Sequence, residues 1–247
     1  MGLHTRVITR LKRDDMPSLL APLRLDEVEV LALDSCATTA YLNDYDRLNE
    51  SGRSSDQHRL LSTSEPLRED DVPPDWRAAD LIHLGPLHSR DLEPELGAVF
   101  SGLTGLDLQG LVRVRDRKCA RTEPNPSLGA FLEGVDVVQA NEQELPAVLD
   151  GETLDAFIRR HGIAEMIVTR GVRGASILCG GGCTDIEPPA ILGGRQIGAG
   201  DVFLGAYLML RVEDQDPTSA ARGATRVSMA QIEHGEVPRG FVPDAGE

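Results

Sequence analysis

Lysine is almost absent from this sequence, since it occurs only at Lys12 and Lys118. Neither lysine lies in a Gly-x-x-x-x-Gly-Lys-Ser/Thr pattern, which excludes a P-loop as the means of binding phosphate. The sequence also lacks a Gly-x-Gly-x-x-Gly motif after a predicted strand, a His-Glu-x-x-His motif and a Gly-x-Ser-x-Gly motif. Dinucleotide binding, zinc-peptidase chemistry and α/β-hydrolase chemistry therefore have no support.

Long apolar runs and aromatic residues are scarce as well. Aromatic residues make up only 4% of the chain, so the core has to be built from Leu, Val, Ile and Ala. No run of about 18 apolar residues is present, and we expect no membrane segment. The first fifteen residues are charged and lack the apolar stretch of a signal peptide, so we expect no secretory leader.

The four cysteines do not form a disulfide-dense pattern. They are Cys36, Cys119, Cys179 and Cys183. The last two flank three glycines, but no further Cys or His ligands follow at the spacing of a zinc site. We predict a glycine turn between two strands there. Free thiols are typical of a reducing compartment, so we expect a cytoplasmic protein.

Negative charge dominates the composition. The formal net charge is −15 and the sequence pI is about 4.8. Such a surface repels phosphate backbones, and we expect no nucleic-acid partner. A nucleotide ligand remains compatible with this charge, because a few backbone amides at a helix start can hold phosphate locally.

Short apolar runs alternate with helical patterns along the chain of 247 residues. The predicted strands are Arg6 to Arg10, Val28 to Leu33, Asp80 to Leu84, Gly105 to Leu108, Val135 to Ala140, Met166 to Thr169 and Ala175 to Cys179. The predicted helices are Pro17 to Leu23, Leu92 to Phe100, Glu142 to Leu149, Leu154 to His161, Val202 to Val212 and Pro217 to Glu233. Several strands lack polar alternation, which is typical of strands covered on both faces. The pattern predicts an α/β fold with three layers, α/β/α, around a mostly parallel sheet.

One segment departs from this alternation. Residues 37–46 predict an extended stretch that ends in a polar loop, and residues 49–57 are rich in Ser, Gly and Asp. We expect residues 36–60 to form a small β lid on a domain of residues 1–235. The edge of this lid could pair with that of a second subunit in a homodimer. We expect the Gly-, Pro- and acid-rich residues 236–247 to form a flexible tail.

A glycine-rich motif near the C-terminus carries the chemistry. Gly198, Ala199 and Gly200 precede Asp201 and an amphipathic run that predicts a helix. Small residues allow an anion to approach the free amides at the helix start, where the helix dipole also favours negative charge. A carboxylate in the first turn can take a proton from a hydroxyl that attacks a phosphoryl group. The alternative is that Asp201 only caps a helix.

This motif is accompanied by three others, and together they resemble the ribokinase (PfkB) family of carbohydrate and nucleoside kinases over most of the chain. The segments, in the order and with the spacing of that family, are Asp107-Leu108-Gln109-Gly110 with Arg113, Asn141-x-x-Glu144 after a strand, Thr169-x-Gly171-x-x-Gly174, and Gly198-Ala199-Gly200-Asp201. The ordered set is far more specific than any one of its parts. It implies an ATP-dependent kinase that phosphorylates a hydroxyl of a sugar or sugar-like small molecule.

The resemblance assigns the phosphoryl-transfer half of the site to the C-terminal motif. It implies that Asp201 is the catalytic base. It also implies that Gly198, Ala199 and Gly200 form the anion hole for the transferred phosphoryl group.

The resemblance assigns the donor half to the two preceding motifs. It implies that Asn141 and Glu144 organise Mg²⁺ near the phosphates, and that Thr169, Gly171 and Gly174 form the ATP-binding turn. Each assignment has a simpler alternative. Asn141 and Glu144 could form only a capping box, and the glycines could form only a hairpin turn.

Two departures from the family pattern leave a second function open. The opening strand and Gly-Gly segment of the family are not recognisable before the first predicted strand, and Arg195 lies where the family has an acidic, hydroxyl-rich approach. The alternative is a non-catalytic kinase homologue or fragment that binds a nucleotide or sugar as a sensor or partner subunit. His83 and His88, near a strand end, are candidates for substrate contact or simply satisfied loop or core residues.

Overall fold

The computed structural model describes residues 4–23, 27–43, 58–115, 120–189 and 197–237. The strands in these ranges are β1 Thr5–Lys12, β2 Val28–Ser35, β3 Ala40–Asn43, β4 His58–Ser62, β5 Leu81–Leu84, β6 Leu103–Asp107, β7 Arg113–Arg115, β8 Ala120–Thr122, β9 Val137–Asn141, β10 Glu165–Thr169, β11 Ala175–Cys179 and β12 Gly182–Ile186. The α-helices are α1 Met16–Leu20, α2 Gln109–Val112, α3 Leu128–Phe131, α4 Leu145–Leu149, α5 Leu154–His161, α6 Ala199–Val212 and α7 Pro217–His234.

Six strands form the central sheet, in the order β12-β11-β10-β9-β6-β5. The pairs β5–β6, β6–β9 and β9–β10 are parallel, and β11 and β12 extend the sheet as antiparallel strands. The predicted mostly parallel sheet is therefore confirmed. Strands β1 and β2 pair in parallel as a separate two-stranded sheet.

Side chains on the central strands alternate between two hydrophobic cores, one on each face of the sheet. Val137 and Ile167 pack with α6 and α7 in one core, whereas Val138 and Met166 belong to the other. Successive residues of a strand point to opposite faces, and all four side chains are buried. This explains the runs without polar alternation and confirms the three layers.

Strands β3 and β4 form a small antiparallel sheet of their own. It contains part of the segment that was predicted to be extended. The polar loop at 49–57, Cys119, Arg195 and residues 238–247 of the tail lie outside the described residues. Cys179 and Cys183 lie on β11 and β12, at the two sides of the glycine turn, as predicted.

Two helix predictions need correction. The run from 92 to 100 was predicted to be a helix, but only Leu96–Val99 is helical there, as a 3₁₀ turn. The residue before this turn, Glu95, has a φ of 68°, which ends helical geometry. The chain on the N-terminal side is extended, since Leu67 and Glu93 share a backbone hydrogen bond of 2.9 Å. The helix predicted from Glu142 starts only at Leu145.

A buried polar network joins β10 to α6. The Glu165 carboxylate, at the start of β10, accepts a hydrogen bond of 2.6 Å from the Tyr207 hydroxyl. It also pairs with the Arg211 guanidinium at 2.6 Å. Tyr207 is fully buried and Glu165 is 8% exposed. An ion pair of this kind stabilises the fold only when its remaining polar atoms are hydrogen-bonded. The Tyr207 hydroxyl provides such a hydrogen bond to the Glu165 carboxylate.

We expect Tyr207→Phe to lower the free energy of unfolding by about 1.5–3 kcal/mol, the range for a hydrogen bond to a charged group. Urea denaturation, followed by circular dichroism, measures the change. Tyr41→Phe serves as the control, because the Tyr41 hydroxyl donates to the neutral Leu87 carbonyl at an exposed position, and a smaller loss is expected there. Equal losses in the two variants would contradict the special role of the buried carboxylate.

None of the helices in the described ranges combines the length and the apolar character that crossing a bilayer requires.

Candidate active site

The carboxyl ends of the parallel strands define one edge of the central sheet. Asp107 ends β6, Asn141 ends β9, and Thr169 ends β10 in register with Asn141. The start of α6 lies at the same edge, because the Gln139 side chain on β9 reaches the Gly200 carbonyl. Open parallel sheets bind ligands at this edge. The fold therefore brings parts of all four sequence motifs to it.

The start of α6 provides free backbone amides. Gly198 is the N-cap residue, with a φ of 74° that favours glycine, and no side chain caps this helix. The first amides of a helix have no partner within it, so those of Ala199 and Gly200 are available to an anion. Asp201 lies in the first helical turn and is exposed. The interpretation of Asp201 as a side-chain cap finds no support in this geometry.

Two buried side chains lie against Gly200. The Gln139 amide nitrogen donates to Asp107 Oδ2 at 2.8 Å and to the Gly200 carbonyl at 3.0 Å. A Cβ atom at Gly200 would lie 3.4 Å from that nitrogen and 3.7 Å from Asp107 Oδ2, so a larger side chain has little room. Burial, with smaller contributions from Glu144 and Asp201, raises the pKa of Asp107 to about 6.

His83 lies on the other side of Asp201. A Cβ atom at Gly85 would lie 3.6 Å from His83 Nε2 and 3.7 Å from Asp201 Oδ1, and thus fill the gap between them. The imidazole Nε2 is buried and has no hydrogen-bond partner among the described residues. Burial lowers the pKa of His83 although Asp201 opposes this effect. The ring is therefore mainly neutral at pH 7, and its Nε2 atom faces the gap without a partner among the described residues.

Asn141 and Glu144 form the local arrangement of a capping box. The Asn141 N–H donates to Glu144 Oε2 at 3.0 Å, and Asn141 Oδ1 accepts from the Gln143 N–H at 2.9 Å. The Glu144 carboxylate is also buried, which raises its pKa, while the Asn141 amide, the Gln109 side chain and the Arg113 charge oppose the rise. A structural role is thus realised for both residues, and it leaves Glu144 as a buried acid at the edge of the site.

The turn between β10 and β11 depends on its glycines. Gly171 has a φ of 57° and opens a 3₁₀ turn that ends at Arg173. Gly174 has a φ of 85° and a ψ of −145°, and a Cβ atom there would lie 2.0 Å from the Ile186 carbonyl oxygen on β12. Only glycine fits at Gly174. The predicted hairpin-turn role is therefore realised, and Thr169 precedes this turn at the sheet edge.

Three residues of the site had no role in the sequence motifs or only a minor one. They are His83, Arg113 and Gln139. Arg113 lies with its guanidinium carbon 5.6 Å from the centre of the Tyr41 ring on β3 and carries the charge that acts on Glu144. It therefore links the small sheet to Glu144 at the edge of the central sheet. His88, the other candidate, binds the Arg90 N–H through Nδ1 and belongs to the loop after β5.

Solved structures share this fold. A pyrophosphate-dependent kinase in the ribokinase family, complexed with a pyrophosphate analogue and myo-inositol, matches with a TM-score of 0.80 at 24% identity, over 96% of this chain and 84% of that chain. The ribokinase of Thermotoga maritima matches with a TM-score of 0.70 at 16% identity, over 94% and 77% of the two chains. The ribokinase of Arabidopsis thaliana, complexed with ribose and ATP, matches with a TM-score of 0.66 at 19% identity, over 98% and 80%.

These likenesses establish a ribokinase-like fold. The search of the curated proteins gives no match to this sequence. The model of the pfkB family carbohydrate kinases matches residues 76–242, which is more than half of the chain and includes every strand of the central sheet. The resemblance of the sequence motifs is therefore confirmed, and the chain belongs to the pfkB family of carbohydrate kinases.

Proposed function

We propose that the protein transfers a phosphoryl group from ATP to a hydroxyl of a sugar or sugar-like small molecule, with Asp201 as the general base. One observation carries the proposal. An exposed carboxylate lies in the same helical turn as free backbone amides, at the carboxyl edge of a parallel sheet. Phosphoryl transfer needs both a proton acceptor and an anion cradle at one place.

Asp201 acts on the acceptor hydroxyl. Its carboxylate faces the gap at Gly85, and a hydroxyl in that gap can donate its proton to Asp201 Oδ1. The neutral His83 imidazole lies on the opposite side of the same gap. It can orient the hydroxyl without adding a positive charge that would weaken Asp201 as a base.

The free amides of Gly198, Ala199 and Gly200 act on the transferred group. They point outward from the helix start, where partial positive charge accumulates. Negative charge that develops on the equatorial phosphoryl oxygens is stabilised by amides that are already oriented before the reaction. Gly200 lacks a Cβ atom, which would lie against Gln139 and Asp107 on the buried side of the helix start.

Asn141 and Glu144 fit a role beside Mg²⁺. The buried Glu144 carboxylate offers more lone pairs than its two hydrogen bonds use. No cluster of three or more His, Cys, Asp or Glu side chains in the described ranges could hold a metal by itself. Mg²⁺ takes most of its ligands from phosphates and water, so it needs few protein ligands. When bound, Mg²⁺ would supply positive charge to the donor phosphates. Glu144 and Asn141 would bind the ion either directly or through its water ligands.

The turn at Thr169, Gly171 and Gly174 is proposed to lie along the nucleotide. The Thr169 side chain is partly exposed at the sheet edge beside Asn141. Gly174 lets the chain turn closely against β12, and the positive φ of Gly171 starts the turn directly after the sheet edge.

Steady-state kinetics with the purified full chain test the proposal. We expect phosphoryl transfer to at least one member of a panel of sugars, cyclitols and nucleosides, with ATP and Mg²⁺. Pyrophosphate is assayed as a second donor, because the pyrophosphate-dependent kinase named above shares the fold. Binding of ATP or of a sugar in calorimetry without turnover on any panel member would contradict the proposal and support the non-catalytic homologue.

Arg113→Gln is expected to raise the KM for ATP about tenfold, since it removes a cation close to the site proposed for the donor phosphates. The kcat is expected to change much less. Arg121→Gln is the matched control, because Arg121 lies on β8 of the same hairpin and pairs with Glu123 at 3.1 Å. Initial-rate kinetics at varied ATP measure both values. Equal KM values for ATP in the two variants would show that Arg113 does not contribute to donor binding.

A further inference from the structure

Three carbonyl groups at the start of α6 are held from behind by side chains of other elements. The Gly200 carbonyl accepts from Gln139 on β9 at 3.0 Å. The Ala199 carbonyl accepts from the Ser228 hydroxyl on α7 at 3.0 Å. The neighbouring residue on the N-terminal side of Gly198 is held in the same way, since the Ile197 carbonyl accepts from Gln231 on α7 at 3.0 Å.

A carbonyl that is fixed in this way also fixes the next amide. The peptide group is planar and trans, so the C=O of one residue and the N–H of the next point in opposite directions. The three contacts therefore orient the N–H groups of Gly198, Gly200 and Asp201 away from the side chains that hold them. We call these three N–H groups the cradle amides.

Gln139 is the most constrained of the three donors. Both of its partners, Asp107 Oδ2 and the Gly200 carbonyl, are acceptors, so the amide has to present its two hydrogens to them. The Oε1 atom is then left buried without a partner among the described residues. Such an unpaired atom costs about 1–3 kcal/mol, and a leucine of similar size would avoid that cost at a position that is only 1% exposed.

We propose that Gln139 is a positioning residue: by tying the Gly200 carbonyl to the Asp107 carboxylate, it holds the Asp201 N–H, and with it the first turn of α6, in the orientation for phosphoryl transfer. Ser228 and Gln231 complete the arrangement from α7. This inference rests on the proposed function for its kinetic consequence, but the orientation of the amides is independent of any turnover. Asp107 suits the anchor role, since it is mainly ionised above its pKa of about 6 and a charged acceptor strengthens the bond to Gln139.

The variant Gln139→Leu tests the proposal. It keeps the volume and removes both donated hydrogens. We expect kcat to fall about 10–100-fold, because small misplacements of a transition-state cradle have effects of this size. The KM for the acceptor is expected to change less than about twofold, because Gln139 does not face the acceptor gap. Initial-rate kinetics separate the two parameters.

Inorganic phosphate provides a readout that needs no turnover. We expect a titration of the wild-type chain with phosphate to shift the cradle amides in ¹H–¹⁵N spectra, and Gln139→Leu to weaken that binding about tenfold. Thr225→Val is the matched control, since the buried Thr225 hydroxyl also donates to a backbone carbonyl, that of Ala221, but within α7. It is expected to leave both phosphate binding and kcat unchanged.

Each outcome decides between the two proposals. If the wild-type chain transfers no phosphoryl group but its phosphate binding depends on Gln139, the proposed function is wrong and this inference is supported. Cradle amides that do not respond to phosphate overturn the inference, as do wild-type values of kcat and phosphate affinity in Gln139→Leu. If that variant does not fold, Gln139→Asn decides, because its amide is one methylene group too short to reach both Asp107 Oδ2 and the Gly200 carbonyl. A loss of about threefold in both readouts is expected there, and unchanged values overturn the proposal.

Discussion

Asp201→Asn is expected to lower kcat about 10³-fold while leaving the KM for the acceptor within about threefold. Asparagine keeps the shape and the hydrogen-bonding capacity of the side chain but cannot take the proton of the attacking hydroxyl. The fold should be unaffected, because Asp201 is exposed and no side-chain cap is present at the start of α6. Single-turnover and steady-state rates with the best substrate of the panel measure the loss.

Asp155→Asn provides the matched control for this variant. Asp155 also lies exposed in the first turn of a helix, α5, whose N-cap is Thr153. Any effect of removing a negative charge from a helix start through the helix dipole is shared by both variants. We expect wild-type kcat in Asp155→Asn. If Asp201→Asn retains more than about a tenth of the wild-type kcat, Asp201 is not the general base.

The sequence predicted the central sheet well where burial on both faces dictates the residue pattern. All the predicted strands of that sheet are present, because strands covered on two faces leave continuous Val, Ile and Leu runs. For strand β12 the sequence predicted only that a strand follows the glycine turn and gave no bounds, since Gly182–Ile186 is polar and mostly exposed and is fixed by its pairing with β11. The helix expected at 92–100 fails for a related reason. Its apolar residues pack into the core, but its backbone pairs with distant residues.

The site residues also fall into those that a local sequence pattern predicts and those that only long-range contacts place. A contiguous motif such as Gly198 to Asp201 needs only local geometry, and the sequence therefore displays it. Gln139 acquires its place through a contact with a carbonyl 61 residues away, and no local pattern announces such a contact. His83 becomes a site residue only because α6 packs across β5. A Cβ atom at Gly205 on α6 would lie 3.6 Å from His83 Nδ1. Long-range packing decides these positions.

Gly174→Ala is expected to destabilise the fold by about 3–5 kcal/mol. The backbone at Gly174 has a φ of 85° and a ψ of −145°, a region that essentially only glycine adopts at a cost of about 1–3 kcal/mol for other residues. The added methyl group would also lie 2.0 Å from the Ile186 carbonyl oxygen, and relief of such an overlap costs about 1–3 kcal/mol more. Chemical denaturation gives the free energy of unfolding.

Gly180→Ala separates backbone strain from the close contact. Gly180 also has a positive φ, 56°, but a Cβ atom there would meet nothing within 4 Å. We expect this control to lose only about 1 kcal/mol. At temperatures where both variants remain folded, Gly174→Ala should in addition raise the KM for ATP, because the turn can no longer lie close against β12. If Gly174→Ala is destabilised but its KM for ATP is unchanged, the turn has only the hairpin role. The nucleotide then does not bind at Thr169 and Gly171.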